Sequence, residues 1–286
     1  MSSGSTQAIL QNHSKQLEVA LNLDSGSARI EVQCLLQAVL QVNRAWLLSH
    51  PEQSLDADQH ARYMMLFERR LGGEPVAYLL EEREFYGLTF KVTPATLIPP
   101  PETELLVELA LQRISPQGEF RVLDLGTGSG AIALSIAHAR PDVQVVAVDA
   151  SQEALKVAGE NAQRLNIGNV HLLHSDWFSA LGGEHFDLIV SNPPYIEEND
   201  AHLMLGDLRF EPHAALAAGA DGLDDIRRII IQAKAHLNPG GWILVEHGYN
   251  QAAQVRMLLK QAEFAGVFSE RDLSAIERVS GGVHPQ

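Results

Sequence analysis

The stretch Val122-Leu123-Asp124-Leu125-Gly126-Thr127-Gly128-Ser129-Gly130 joins a short apolar run to a run of helix-forming residues. The apolar residues up to Leu125 predict a buried strand, and residues 131–139 predict a helix. Glycines between them permit a tight turn and let the backbone come close to a ligand. The helix that follows points its free N–H groups at the loop. This strand, loop and helix together predict the first unit of a nucleotide-binding parallel sheet.

The same alternation of strand and helix continues after the glycine loop. The sequence predicts strands at 121–125, 144–148, 170–173, 186–190 and 242–245, and helices at 131–139, 152–165, 226–237 and 251–262. Short apolar strands that alternate with helices indicate an α/β fold, in which helices cover both faces of a parallel sheet.

A different pattern precedes the sheet. From about Gln16 to Leu71 apolar residues recur at helical spacing, and residues 83–92 alternate around Gly87 as in a short β-hairpin. Prolines exclude a helix as far as Pro101, so the next helix opens at Glu102 or Thr103. We therefore expect a helical N-terminal domain that chooses the substrate at 1–80, a β-hairpin linker at 81–101 and a nucleotide-binding domain at 102–286.

Charge and composition narrow the class of protein. The 286 residues include 36 acids and 21 bases, a net charge of −15. Proteins that hold nucleic acid by its phosphates normally carry a basic surface, so we expect no direct nucleic-acid substrate and favour a protein or small-molecule partner. No apolar run approaches the roughly 18–20 residues that span a bilayer, and the first residues lack the order of a secretory signal. We therefore expect a cytoplasmic protein, monomeric and without a membrane partner.

Metal chemistry is not indicated either. The chain has a single cysteine, Cys34, in an apolar stretch, and its 12 histidines are scattered. Because no His, Cys and carboxylate cluster has zinc spacing, we predict no metal site.

Acidic residues around the glycine loop bear on the class of cofactor. Asp124 lies at the loop entry, and Asp149 ends the next strand, where an acid can bind a ribose diol. An acid at the entry would repel a pyrophosphate but suits the cationic amino group of S-adenosylmethionine, so this cofactor is favoured over NAD. After the third strand, Asp176 can accept from the adenine amino group and Trp177 can cover the ring. For the glycine loop the alternative is a turn without any ligand, and for Asp176 and Trp177 it is a surface loop with a buried tryptophan.

Asn192-Pro193-Pro194-Tyr195, termed the acceptor loop below, follows the fourth strand on the same sheet edge. An amide nitrogen is a poor nucleophile, because its lone pair is shared with the carbonyl. The Asn192 oxygen and the Pro193 carbonyl can each accept one N–H and so aim the nitrogen at a methyl carbon. Tyr195 can cover the amide plane and stabilise the growing positive charge. This pattern predicts methyl transfer to a planar amide or amine nitrogen, with a proline-rich turn as the alternative.

These motifs together resemble the bacterial release factor glutamine methyltransferases. The matching segments are residues 73–79, 83–87, 97–99, 103–108, 124–130, 192–195 and 277–279. The acceptor loop alone is shared with adenine-N6 methyltransferases of DNA and RNA, whereas the segments before residue 102 are more specific.

The resemblance implies a fold, a substrate and a set of contacts. It implies a seven-stranded Rossmann-like domain behind a helical domain, and a glutamine in the Gly-Gly-Gln loop of peptide-chain release factors as acceptor. Cofactor contacts are implied at the glycine loop, including Leu125 and Thr127, and at Asp149, Trp177 and Asn192. Substrate contacts are implied from Asn192 to Tyr195, with Pro194 among them.

Two segments depart from the family pattern. Pro99-Pro100-Pro101 stands where the family usually has Pro-Arg-Pro, and residues 281–286 lack its Gly-Arg-aromatic ending. Neither departure touches the acceptor loop. A glutamine methyltransferase of a ribosomal protein, an adenine-N6 methyltransferase and a cofactor-binding scaffold without transfer are the alternatives that the sequence leaves open.

Overall fold

The structure is a computed structural model that describes residues 4–115 and 119–286. The helices are α1 (Thr6–Leu21), α2 (Ser25–Leu40), α3 (Arg44–Ser49), α4 (Ala57–Leu71), α5 (Val76–Leu80), α6 (Glu104–Arg113), α7 (Ala131–Ala139), α8 (Gln152–Arg164), α9 (Asp224–Ala233) and α10 (Ala252–Gln261). The strands are β1 (Glu82–Phe85), β2 (Leu88–Lys91), β3 (Arg121–Leu125), β4 (Gln144–Asp149), β5 (Val170–His174), β6 (Phe186–Ser191), β7 (Leu237–Glu246), β8 (Ala265–Arg271) and β9 (Glu277–Val283). Together they form two compact units.

The first unit is helical, runs to Glu81 and takes in the later segment Met204–Phe210. Helices α1 to α5 pack their apolar faces around one core. A buried guanidinium ties the unit together: Arg70 lies 2.7 Å from Glu31 and 2.9 Å from Asp207. Because Asp207 belongs to the later segment, this pair anchors that segment to α4.

The second unit holds a seven-stranded sheet in the order β5-β4-β3-β6-β7-β9-β8. Strands β3 to β7 are parallel, as the sequence predicted, whereas β9 runs antiparallel to both of its neighbours. The predicted α/β fold with seven strands is therefore confirmed, and β8 and the antiparallel strand β9 are the two strands that the alternation did not show. The strand order reverses at β3: β4 and β5 are added on one side of it, and β6 and β7 on the other. Ligands of such sheets bind beyond the carboxyl ends of the strands at this point.

The predicted hairpin forms, and it packs into the second unit. β1 and β2 pair as antiparallel strands, and Phe85 and Phe90 are buried in one of the two cores of the sheet unit. Asn161 of α8 bonds both backbone groups of Lys91, at 2.6 and 2.9 Å. The predicted division of the chain into 1–80, 81–101 and 102–286 stays a prediction. Residues 1–3 of the first of these segments lie outside the described residues.

Helix length and the grouping of possible metal ligands bear on the class of protein. Within residues 4–115 and 119–286, none of the helices combines the length and the apolar character that crossing a membrane would need. In the same ranges no group of three or more His, Cys, Asp or Glu is arranged to hold a metal ion.

Candidate active site

The glycine loop leaves β3 through a turn that only glycine adopts easily. Gly126, Gly128 and Gly130 have φ angles of 74°, 56° and 84°, in the left-handed region that other residues enter at a cost. The N–H groups of Gly126 and Thr127 both donate to the Val148 carbonyl at 2.9 Å. The loop is therefore fixed across the ends of β3 and β4.

Asp124 lies beneath this loop and is fully buried. Its Oδ2 accepts from the Thr127 hydroxyl at 2.6 Å and from the Ala133 N–H at 3.2 Å, which satisfies a donor in the first turn of α7. Burial raises the pKa of Asp124 to about 7, and its Oδ1 has no hydrogen-bond partner among the described residues. Asp124 thus supports the loop from behind, and its predicted contact with an amino group stays a prediction.

Asp149, at the end of β4, holds the loop from the side. Its Oδ2 accepts from the Gly128 N–H and its Oδ1 from the Ser151 N–H, both at 2.8 Å. Burial raises the pKa of this carboxyl. The carboxylate therefore sits at one orientation, with remaining lone pairs available to a diol.

A cavity of about 580 Å³ opens beside these groups. Of the residues that the sequence predicted, it is lined by Gly126, Gly128, Asp149, Asp176, Trp177, Asn192 and Pro194. The sequence did not single out Thr96, Ser151, Glu153, Pro212, Asp225 or Arg228, which also line it. The wall carries more carboxylates than cations, namely Asp149, Glu153, Asp176 and Asp225 against Arg228. Such a wall suits a cationic ligand and disfavours a pyrophosphate.

Trp177 forms one side of the cavity. Its indole N–H donates to Asp225 at 3.2 Å, and its ring lies so close to Gly126 that a Cβ there would be 3.3 Å from it. Asp176 is exposed and pairs with Arg228 at 2.9 Å. The indole is thus fixed against the glycine loop. The carboxylate of Asp176 would have to bind both Arg228 and the adenine amino group, and its predicted adenine contact stays a prediction.

The acceptor loop begins where β6 ends, across from the glycine loop. The Ser191 hydroxyl donates to the Leu125 carbonyl at 2.8 Å, so the ends of β3 and β6 are tied together. Asn192 is half-buried, and its Nδ2 donates to the Thr103 hydroxyl at 3.0 Å. With its NH₂ group engaged, Asn192 has Oδ1 left to accept from a ligand.

Tyr195 is held at both its backbone and its hydroxyl. Its N–H donates to the Leu216 carbonyl at 3.2 Å, and its carbonyl accepts from Gln251 at 3.0 Å. Its hydroxyl lies 3.5 Å from Oε1 of Glu246, and burial raises its pKa, so it stays a neutral phenol at physiological pH.

Pro193 and Tyr195 are not among the described residues that line the cavity. Pro193 is buried, and the Tyr195 ring packs against the core that contains β6 and β7. The predicted contacts of these two residues with an acceptor amide therefore stay predictions.

Three residues that support the acceptor loop were missed by the sequence analysis. They are Thr103, Glu246 and Gln251. Glu246 follows the predicted strand 242–245 directly, and the carboxyl ends of parallel strands share one edge. That position was the available signal for Glu246, whereas nothing in the local sequence around Gln251 pointed to the loop.

Two family descriptions match the chain. "Methyltransferase small domain" matches residues 102–219, and "PrmC N-terminal domain" matches residues 8–80. Among solved structures, a methyltransferase from Pyrococcus furiosus is 20% identical with a TM-score of 0.53, over 77% of this chain and 98% of that one. A Thermus thermophilus 16S rRNA N2 G1207 methyltransferase is 24% identical with a TM-score of 0.53, over 72% and 50%. These structures share the fold.

Curated relatives are much more similar. Proteins named release factor glutamine methyltransferase are 50% identical in Xylella fastidiosa, over 90% of this chain and 94% of the relative, and 51% identical in Bordetella pertussis, over 91% and 96%. The Escherichia coli protein of that name is 47% identical over 92% and 94%. The methyltransferase domain confirms the predicted enzyme class and its cofactor, S-adenosyl-L-methionine. With half of its residues identical over nine-tenths of its length, the chain belongs to the release factor glutamine methyltransferase family.

Proposed function

We propose that this protein transfers a methyl group from S-adenosyl-L-methionine to the side-chain N5 of the glutamine in the Gly-Gly-Gln loop of peptide-chain release factors. The observation that carries the proposal is identity of 47–51% over about nine-tenths of the chain to relatives with that printed name. The position of Asn192 on the cavity wall supports it.

The cavity has features that fit the cofactor. Gly126 and Gly128 leave room for a ligand against the backbone, and Trp177 offers an aromatic face. The excess of carboxylates on the wall suits a molecule that carries an ammonium and a sulfonium. We propose that Asp149 holds the ribose diol and that the glycine loop holds the amino-acid part. The unpartnered Oδ1 of Asp124 is an acceptor near that part of the loop.

The chemistry follows from the weak nucleophilicity of an amide nitrogen. When bound, the cofactor supplies an electrophilic methyl group next to its positive sulfur. Asn192 Oδ1 accepts one N–H of the glutamine amide, and the Pro193 carbonyl accepts the other, so that the nitrogen is held in one orientation. The Tyr195 ring stabilises the positive charge that develops on the nitrogen. The proton leaves after transfer, so the site needs no strong base.

The protein substrate is favoured over nucleic acid by charge. A net charge of −15 gives no general electrostatic attraction for phosphates. We propose a cytoplasmic, monomeric enzyme that acts on release factors. A ribosomal-protein glutamine and an adenine base are the competing acceptors, since both present a planar NH₂ group.

The test is transfer of a labelled methyl group to purified release factor. We expect one label per release factor, placed on the loop glutamine by mass spectrometry, and none on a factor whose loop glutamine is alanine. Asn192→Ala should reduce kcat by roughly 100-fold, whereas Asn250→Ala, an exposed asparagine on the same sheet edge, should retain activity. Label on ribosomal protein, DNA or RNA but not on release factor would refute the proposed substrate.

A further inference from the structure

A buried carboxylate lies directly behind the acceptor loop. Glu246 ends β7 and is 1% exposed. The residue before it, Val245, pairs with Ser191 of β6, so Glu246 lies beside the point where Asn192 begins the loop. A buried carboxylate is costly unless it is paired, yet its Oε2 has no hydrogen-bond partner in the described parts of the chain.

The Thr103 side chain connects this carboxylate with Asn192. Asn192 Nδ2 donates to the Thr103 hydroxyl at 3.0 Å. A hydroxyl has one proton, and while its oxygen accepts from Asn192 that proton is free to reach another acceptor. The Thr103 hydroxyl faces Glu246 and stabilises the charged form of its carboxyl.

The direction of these hydrogen bonds matters for the reaction. An ionised carboxylate can only accept, so it fixes Thr103 as donor to Glu246 and acceptor from Asn192. Asn192 must then turn its NH₂ group to Thr103 and its Oδ1 to the cavity. The opposite amide orientation would present N–H groups to the acceptor glutamine, whose own NH₂ group also donates.

We propose that Glu246 is a positioning residue that acts through Thr103 to make Asn192 present Oδ1 to the N–H of the acceptor amide. This inference rests on the proposed function. It assigns Glu246 a role in kcat without any contact with cofactor or substrate.

Several charged or titratable groups face Glu246. Arg278, which pairs with Asp272 at 3.1 Å, favours the charged form of the carboxyl, and Glu102 opposes it. The Tyr195 hydroxyl lies 3.5 Å away and also favours it. Burial outweighs these effects and raises the pKa of Glu246 to about 7. Protonation gives the carboxyl a donor, so the orientation of Thr103 is no longer fixed as pH falls below about 7.

Glu246→Gln tests the role with little change of shape. The new amide can donate to Thr103, whose proton can then turn to Asn192. We expect kcat for release-factor methylation to fall by roughly 10- to 100-fold, with the dissociation constant of the cofactor within about 2-fold of wild type. Glu263→Gln, the same substitution at an exposed site, is the matched control and should match wild type in both quantities.

Thr103 provides an independent pair of variants. Thr103→Ser keeps a hydroxyl and should retain far more activity than Thr103→Val, which breaks the connection. In the double variant Glu246→Gln/Thr103→Val, the losses should not add, because both changes remove one connection. The pH dependence is a third readout: wild-type kcat should fall below about pH 7, and Glu246→Gln should lack that decline.

The outcomes separate this inference from the proposed function. If wild type labels no release factor, the proposed function fails. If wild type is active but Glu246→Gln keeps its kcat and its pH profile, the positioning role is wrong. It is also wrong if Glu246→Gln weakens cofactor binding as much as it lowers kcat. Should Glu246→Gln fail to fold, as seen by circular dichroism, equal activity of Thr103→Ser and Thr103→Val would overturn the inference.

Discussion

Replacement of Asp149 by alanine should weaken cofactor binding more than it slows methyl transfer within the bound complex. The carboxylate accepts two backbone N–H groups, from Gly128 and Ser151, each at 2.8 Å. It also lines the cavity. Alanine removes the restraint on the glycine loop and, in one step, the acceptor that we propose for the ribose diol.

The size of the effect can be worked from these contacts. Leaving a buried donor without a partner costs roughly 1–3 kcal/mol, so two such donors cost about 2–6 kcal/mol in the fully buried limit. Asp149 is only half-buried, so water can bond the two N–H groups in part. The unfolding free energy should therefore fall by an amount near the lower end of this range. Loss of the proposed diol contacts should weaken cofactor binding by about 1–3 kcal/mol, which raises the dissociation constant roughly 5- to 150-fold.

Calorimetric titration with S-adenosyl-L-methionine measures this constant, and single-turnover transfer at saturating cofactor measures the chemical step. Asp142→Ala is the matched control, because Asp142 is exposed and its near sequence neighbour Arg140 is its ion-pair partner among the described residues. A dissociation constant unchanged in Asp149→Ala, with the loop intact, would refute the assignment of the diol to Asp149. A loss confined to the single-turnover rate would show that the carboxylate acts on the acceptor instead.

Three further changes test other parts of the structure. Arg70→Ala should lower the unfolding free energy by about 2–3 kcal/mol, because the buried guanidinium no longer bonds Glu31 and Asp207 or the Gly73 and Glu74 carbonyls, whereas neighbouring Arg69→Ala, at an exposed pair, should cost at most about 1 kcal/mol in urea unfolding. Gly222→Ala should reduce activity sharply, because its Cβ would lie 2.2 Å from an acceptor-loop carbonyl, whereas Gly182→Ala, also at positive φ but with open space, should keep activity in the labelling assay. Glu246→Gln removes a carboxyl whose pKa is raised in the folded protein. Between about pH 4.5 and pH 7, Glu246 keeps its proton in folded wild type but loses it in the unfolded chain, so the unfolding free energy of wild type falls as pH rises through that window. The unfolding free energy of the variant, relative to that of wild type, should therefore rise by up to about 3 kcal/mol between pH 5 and pH 8. A difference in melting temperature between the two proteins that does not change with pH would contradict this.

The sequence predicted the parallel part of the fold well, because its strands are buried on both faces and leave continuous apolar runs. The predicted strand 121–125 has the bounds of β3, and the helix 131–139 has those of α7. β9 was missed because it carries Gly281 and Gly282 in place of bulky side chains. A Cβ at Gly281 would lie 2.6 Å from the Ile243 carbonyl, so close packing of β9 on β7 demands a residue that strand patterns rank low.

Residues that line the cavity were easier to predict than the residues that support them. Gly126, Asp149 and Asn192 follow strands, so one topological rule brings them to the same sheet edge. The partner of Asn192 is Thr103, 89 positions earlier in the chain, and no local pattern connects the two. For Asp124 the sequence predicted the residue but not its surroundings. Its full burial and its bonds to Thr127 and to α7 are seen only in the structure.

Two buried acids, Asp124 and Glu246, stand at the edge of the sheet where ligands bind, and burial raises the pKa of each to about 7. In each of them one carboxylate oxygen has no partner among the described residues. For stability alone, a neutral amide or an apolar side chain would serve better at both places, since a buried charge without full compensation costs free energy. What an ionised carboxylate offers is that it can only accept hydrogen bonds, and so it fixes the direction of every donor that faces it. Asp124 fixes Thr127 and the first turn of α7 in this way, and Glu246 can fix Thr103 and, through it, Asn192. The two buried carboxylates therefore lower the stability of the fold, and in return they orient the donors and acceptors of the site before the substrate binds.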